Sequence, residues 1–137
     1  MMEYVVDTHP LVWHFWRPAR LGAAAQAAFQ AAETGLARLY LPAVVLAELV
    51  MVVEKGRVKW MTVTMADLMA QINHMRRSAS YEFLPLEPDT VIASRTLIAV
   101  PEIFDRLIVA EALRLGLPLI THDTVITNSK VVPVIWH

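Results

Sequence analysis

Four carboxylates stand where ordinary surface charges are uncommon. Asp7 directly follows a short run of β-branched and aromatic residues, and Asp123 lies just beyond a second apolar run that ends near Ile120. In open parallel sheets, ligands bind beyond the carboxyl ends of the strands, so both residues are candidates for a site. Asp also favours helix N-caps and turns, which would explain either residue on its own.

Glu48 is the only charged residue in the apolar run 43–53. Its neighbours one helical turn away include Val44, Val45 and Met51, so its helix face is apolar. A lone ionised carboxylate buried there would cost several kcal/mol. Glu48 must therefore pair with a cation, bind a metal or face a cleft, and a salt bridge with an arginine is the structural alternative.

Asp105 opens a predicted helix. Ile108 and Ala112 follow it at helical spacing, which places Asp105 on the core-facing side. Stabilisation by the helix dipole is the simpler explanation for an Asp in a first turn. Glu102 and Arg106 are interpreted as surface charges, although Arg106 is close enough to Asp105 to matter.

The four carboxylates together suggest metal chemistry. Two carboxylates about 5 Å apart repel each other by roughly 3 kcal/mol at an effective dielectric near 20. A converging group of four therefore has raised pKa values or requires a cation. An all-oxygen site suits Mg²⁺ or Mn²⁺ rather than Zn²⁺, and such ions orient phosphoesters and generate hydroxide.

The elements that must position these residues alternate along the chain. Apolar runs predict strands over 1–6, 38–41, 81–84, 118–121 and 131–135. Helical periodicity and end signals predict helices over 10–16, 21–34, 42–55, 65–75, 88–99 and 104–115. This order predicts a three-layer α/β/α domain with a short, mostly parallel central sheet.

Composition limits the class of protein. The chain has 137 residues, which suits a single domain over 1–137, and it is 56% apolar with 18% charged residues, which excludes disorder. It has no Cys, hence no thiolate metal site or Cys nucleophile, and its net charge of −1 excludes an overall basic protein that coats polyanions. No apolar run approaches the roughly 20 residues of a membrane span, and no signal peptide is evident, so a cytoplasmic protein is expected.

Four short segments carry the acids in order: Val-Val-Asp7-Thr8, Leu-Ala-Glu48-Leu, Phe-Asp105-Arg106-Leu-Ile-Val-Ala-Glu-Ala112 and Leu-Ile-Thr121-His-Asp123. With their spacing, they resemble the PIN-domain ribonucleases, and most of all the VapC-type toxins of prokaryotic toxin–antitoxin pairs. The resemblance extends from Tyr4 to Ile135.

The resemblance implies a PIN-like fold and hydrolysis of RNA that depends on Mg²⁺ or Mn²⁺. By matching position, the four acids become the metal-site set, and Thr121, with Thr8, would orient a carboxylate or water. The family also implies a homodimer and an antitoxin protein that covers the site.

This sequence departs from the family pattern in two places. The segment 102–105 reads Glu-Ile-Phe-Asp where many relatives have Asp-Pro-Phe-Asp, and 44–46 is apolar where relatives often have Ser or Thr. Neither difference touches the four acids, but both bear on how a substrate is positioned.

Other functions remain open from sequence alone. The runner-up is a non-catalytic PIN-like module that binds RNA or acts as a scaffold, with structural acids. A receiver-like domain also places acids at strand ends, but Asp7 has no adjacent acid and Lys130 is poorly placed. Neither GxGxxG nor GxSxG occurs, which argues against a nucleotide loop or a serine hydrolase.

Further side chains are candidates for substrate contact. His9 and His122 flank the acids, although packing is the simpler role for both. Trp13 and Trp16 are candidates to stack on bases, although core or interface packing is more common at their spacing. The candidate phosphate partners are Arg17, Arg20, Arg76, Arg77 and Arg106.

The apolar surplus predicts partners. A mean hydropathy of +0.46 is high for a chain without a membrane span, and a small core cannot absorb every apolar side chain. We therefore expect a homodimer and a second apolar groove for a partner helix, lined by the helices over 43–53 and 65–75. The alternative is that both apolar stripes face the core.

Overall fold

A computed structural model describes residues 1–58 and 61–137 of the chain. Within these residues, five strands form one sheet in the order β3-β2-β1-β4-β5, and every pairing is parallel. The strands are β1 (Met2–Val6), β2 (Ala37–Pro42), β3 (Tyr81–Leu84), β4 (Leu119–Ile120) and β5 (Val134–Ile135). The predicted α/β fold is confirmed, with a sheet that is wholly rather than mostly parallel. The flavodoxin-like order 2-1-3-4-5 is absent from this sheet, which removes the receiver-like alternative.

The central position of β1 in the sheet explains the apolar character of this strand. β1 is paired on both sides, with β2 and with β4, and Val5 and Val6 are fully buried. A parallel strand covered on both faces buries consecutive side chains instead of alternating ones. The chain therefore leaves the centre of the sheet at Asp7.

Helices lie before and after these strands. They are α1 (Thr8–Trp16), α2 (Ala23–Glu33), α3 (Ala43–Glu54), α4 (Met65–Arg76), α5 (Pro88–Ser94), α6 (Ile103–Leu115) and α7 (Thr124–Ser129). A short 3-10 turn, Pro18–Arg20, separates α1 from α2. None of the helices in 1–58 and 61–137 combines the length and the apolar composition needed to cross a bilayer.

Two predicted helix ends are confirmed. The backbone N–H of Asp67 donates to Thr64 Oγ1 at 3.1 Å and that of Thr64 donates to Asp67 Oδ2 at 2.9 Å, a complete capping box for α4. Gly116 ends α6 with a left-handed φ of 66°, which glycine adopts without the usual Cβ penalty.

Other boundaries differ from the sequence prediction. Helix α5 ends at Ser94 rather than at residue 99, because the backbone N–H groups of residues 95–97 donate to carbonyls three residues back, as in turns. Strands β4 and β5 have two residues each, shorter than the predicted 118–121 and 131–135. Helix α7 was not predicted at all.

The methionine-rich stripe of α4 faces the core only in part. Leu68 and Met75 are buried, whereas Met65 is 39% and Met69 45% exposed. On α3, Leu49 is fully buried while Met51 is 41% exposed. The two helices therefore contribute to the core on one side and leave methionine side chains at the surface on the other.

Candidate active site

Four elements bring the predicted acids to one cavity at the carboxyl edge of the sheet. Asp7 follows β1, Asp123 follows the neighbouring β4, Glu48 lies on α3, and Asp105 lies in the first turn of α6. All four line a cavity of about 470 Å³. Because β1 and β4 are adjacent and parallel, their ends meet at the same edge, as the strand-end argument requires.

Asp7 is held rigidly. It is only 6% exposed, and its Oδ1 accepts the Thr8 backbone N–H at 2.7 Å while its Oδ2 accepts the Thr121 hydroxyl at 2.7 Å. Burial raises the pKa of Asp7, and the two hydrogen bonds oppose that rise. One carboxylate is thereby fixed in orientation at the floor of the cavity.

Two threonine hydroxyls connect the acids. Thr121 is fully buried, and its Oγ1 donates to Asp7 and accepts the backbone N–H of Asp123 at 3.0 Å. Thr8 Oγ1 donates to Glu48 Oε1 at 2.7 Å. These bonds orient carboxylates, which is the part that the resemblance implied for both threonines; a catalytic role for them stays a prediction.

Glu48 faces the cavity and is half-buried. Burial raises its pKa, the Thr8 hydrogen bond lowers it, and the charge of Asp7 raises it further. Within the described part of the chain, no arginine lies within ion-pair distance of Glu48. The salt-bridge explanation of this residue is therefore not the one that the structure adopts.

Asp105 has a strongly raised pKa. Burial raises its pKa to about 7, with added contributions from the charges of Asp7 and Asp123 and smaller ones from Glu102 and Glu48. The pKa of Asp105 is thus raised first by burial and second by a surrounding group of negative charges. Such a group is stabilised by any cation that binds it.

Glu102 is the residue that sequence reasoning missed. Interpreted as a surface charge, it also lines the cavity, and its Oε2 accepts the Asp105 backbone N–H at 2.8 Å as the N-cap of α6. The sequence carried only a weak signal, because Glu102 and Asp105 have the spacing of a capping box but Glu is not among the preferred N-cap residues.

Asp123 combines the two roles that were weighed for it. Its Oδ1 accepts the Ile126 backbone N–H at 2.9 Å and so caps α7, while the residue also lines the cavity. Capping and a place in the site are therefore compatible for this residue.

The donor chemistry fits a hard divalent cation. The acids that line the cavity offer only carboxylate oxygens, which suits Mg²⁺ or Mn²⁺, and the raised pKa of Asp105 shows that the group lacks positive charge. Among residues 1–58 and 61–137, no three His, Asp or Glu side chains stand close enough to hold one ion as they are placed. Ion binding at this cavity would thus have to draw the carboxylates together.

An aromatic wall borders the acids. His122 stacks on Trp136 with ring centroids 4.6 Å apart, and Trp13 meets both rings edge-on at 5.7 and 5.6 Å. His9 and Trp13 are 5.8 Å apart and also line the cavity. His122 therefore has the packing role that the sequence suggested, and it also borders the site.

The candidate phosphate partners lie at three places. Arg76 and Arg77 end α4, which leads into the start of β3, so they lie at the amino end of the sheet, opposite the acids. Arg106 donates its Nε–H to the Val100 carbonyl. Arg17 and Arg20 line a cleft next to the acid cavity.

Comparison with known proteins agrees with this architecture. No curated protein matches the sequence. Structural similarity extends over nearly the whole chain to VapBC2 from Rickettsia felis bound to a DNA fragment from their promoter, with a TM-score of 0.70, 15% identity and coverage of 99% of this chain and 100% of that one.

Two further solved structures share the fold. DNA-bound VapBC from Salmonella typhimurium has a TM-score of 0.69 at 14% identity, covering 98% of this chain and 97% of that chain. FitAcB from Neisseria gonorrhoeae has a TM-score of 0.64 at 18% identity, covering 97% and 96%. At these identities, the likeness is one of fold. A family model matches residues 4–130, and the chain belongs to the PIN domain family.

Proposed function

We propose that this protein is a metal-dependent endoribonuclease of the toxin type, with Asp7, Glu48, Asp105 and Asp123 as the metal-site carboxylates. The observation that carries the proposal is the convergence of these acids, from four separate elements, on one cavity. Membership of the PIN domain family supports it, as does the toxin-type resemblance. We further propose that residues 1–137 act as one domain, in the cytoplasm.

A bound Mg²⁺ or Mn²⁺ supplies charge for the phosphodiester and lowers the pKa of a bound water. The protein's own residues orient the carboxylates. Thr121 and the Thr8 backbone hold Asp7, and the Thr8 hydroxyl holds Glu48, so two carboxylates are oriented before substrate arrives. Asp105 has a pKa near 7 in the metal-free cavity, and a bound cation would lower that pKa and hold the carboxylate ionised.

The direct test is RNA cleavage by the purified chain with and without Mg²⁺ or Mn²⁺. We expect cleavage only with metal, and a loss of at least about 10²-fold in rate for Asp105→Asn and Glu48→Gln, comparable to removal of a key electrostatic group. Asp89→Asn, which changes an exposed acid in the first turn of α5, should keep full activity. RNA binding without metal-dependent cleavage in the unmodified protein would favour the non-catalytic module instead.

We also propose an antitoxin partner and a homodimer. Support for the antitoxin comes from the VapBC and FitAB complexes that share this fold. Exposed methionines on α3 and α4 support an apolar contact surface, since methionine adapts to varied partners. Light scattering at micromolar concentration tests the dimer, and a monomeric chain would contradict it.

A further inference from the structure

A cleft that combines apolar side chains with four cations opens beside the acid cavity. It has a volume of about 370 Å³ and lies between α1, the 3-10 turn that follows α1, and the C-terminal end of α3 with residues just beyond. His9, Trp13 and Glu48 line both the cleft and the acid cavity, so the two spaces share a wall. The cations on the cleft are Arg17, Arg20, Lys55 and Arg57.

Three of the cations on this cleft form no ion pair with the described residues, and Glu48, on the wall shared with the acid cavity, is the acid among its lining residues. Arg20, Lys55 and Arg57 are exposed, and within residues 1–58 and 61–137 none of them has a carboxylate within ion-pair distance. Arg38 and Arg114, in contrast, pair with neighbouring glutamates. With a net charge of −1 for the whole chain, the cleft is a local feature and does not follow from composition.

Trp13 adds an aromatic surface to this charge. Its ring is partly exposed on the wall shared by the two spaces, and the Arg20 guanidinium lies 5.7 Å from the ring centroid. A positively charged groove combined with an aromatic side chain is the arrangement that binds single-stranded nucleic acid, because phosphates follow the cations and bases stack on the ring. A duplex keeps its bases paired and inaccessible to such a ring.

We propose that this cleft binds the backbone of a single-stranded stretch of RNA adjacent to the bond held in the acid cavity. The proposal rests on the proposed function, because it assigns the neighbouring part of the same substrate. The assignment also explains how an anionic RNA strand can approach the five carboxylates of the acid cavity. The cations of the adjacent cleft offset the repulsion between those carboxylates and the phosphates.

Binding without cleavage tests this assignment. Fluorescence anisotropy with a labelled single-stranded RNA in EDTA measures affinity while divalent metal is absent. We expect the triple variant Arg20→Gln/Lys55→Gln/Arg57→Gln to bind at least about tenfold more weakly at 50 mM salt. Each lost phosphate contact should also reduce the slope of log affinity against log salt by about 0.7, roughly 2 for the three.

A matched control removes the same charge elsewhere. Arg76→Gln/Arg77→Gln/Lys130→Gln changes three exposed cations outside both lining sets, and it should keep the affinity and salt slope of the unmodified protein. Equal losses in the two triple variants, or none in the first, would overturn the proposal. So would an equal loss for a duplex of the same sequence.

A poly-glutamate peptide provides the remaining arm. If the cleft variant loses peptide binding but keeps RNA binding, the cleft belongs to an acidic partner protein and the assignment is wrong. If the protein cleaves RNA with metal but the cleft substitutions do not weaken RNA binding, the proposed function stands and the cleft assignment is wrong. If the cleft substitutions weaken RNA binding but the unmodified protein never cleaves RNA, the cleft assignment stands and the proposed function is wrong.

Discussion

Replacing Asp105 with asparagine should stabilise the metal-free protein, and the gain should grow with pH. Burial, together with the charges of Asp7 and Asp123, raises the pKa of Asp105 from 3.8 to about 7. A carboxyl whose folded-state pKa is raised contributes stability below its unfolded pKa, and that contribution is lost as the pH rises through the folded value. The asparagine side chain has nearly the same shape and no charge, so the variant avoids this loss between about pH 4 and 7.

The size of the effect follows from the same values. At about 1.4 kcal/mol per pKa unit, the rise from 3.8 to about 7 has an upper bound of roughly 4 kcal/mol. Asp105 is only half-buried, and solvent screening reduces the figure to about 2 kcal/mol. For a chain of this length, that corresponds to about 6 °C in Tm at pH 8.

Thermal unfolding in EDTA at a series of pH values between 3.5 and 8 measures this difference. The variant should match the unmodified protein at the acid end and exceed it at pH 8, whereas Asp89→Asn should show no gain, since Asp89 is exposed in the first turn of α5. An Asp105→Asn protein that is less stable than the original at pH 8, or a difference that does not change with pH, would refute the raised pKa of Asp105.

The remaining predictions concern other contacts. Thr121→Val removes a hydrogen bond that lowers the pKa of Asp7, so the pH profile of cleavage should shift to higher pH, with an unchanged profile counting against the bond. Burial opposes ionisation of Glu33, but hydrogen bonds from Tyr81, His74 and His14 outweigh burial and lower the pKa of Glu33. The ionised Glu33 therefore stabilises the folded state above the unfolded pKa of 4.5, and this stabilisation is lost as the pH falls through the folded pKa. Glu33→Gln should therefore reduce stability at pH 7 by about 1 kcal/mol in urea unfolding, and by less at pH 4. Gly22→Ala should lower Tm by several degrees in calorimetry, because its Cβ would lie 2.2 Å from the carbonyl oxygen of Trp136.

The sequence predicted the parts of the fold that local chemistry determines. The apolar runs at β1 and β3, the capping box of α4 and the glycine that ends α6 each have a signal within a few residues, and each is confirmed. Helix α7 has an N-cap signal in Asp123 but no apolar periodicity, because only Ile126 among its six residues is buried and the rest are mostly polar or exposed.

Features that depend on distant packing were beyond sequence reasoning. The aromatic wall requires Gly22 to leave room for Trp136, and nothing near either residue in the sequence indicates the other. The methionines of α4 have core-like spacing, yet Met65 and Met69 face outward, since periodicity identifies an apolar stripe without showing how much of it is covered. The strand order likewise could not be obtained, although Asp7 and Asp123 were correctly predicted to follow strands and Asp105 to open a helix.

The hydrogen bond between Asp7 and Thr121 joins positions 114 residues apart. Pairing β1 with β4 is therefore one of the last contacts that a growing polypeptide can make, and the acid cavity cannot close while the ribosome is still adding the middle of the chain. If the protein is the ribonuclease proposed above, this order of assembly delays its activity. The messenger and transfer RNAs around a nascent molecule would then meet only an unfinished site, until β4 has emerged and docked beside β1.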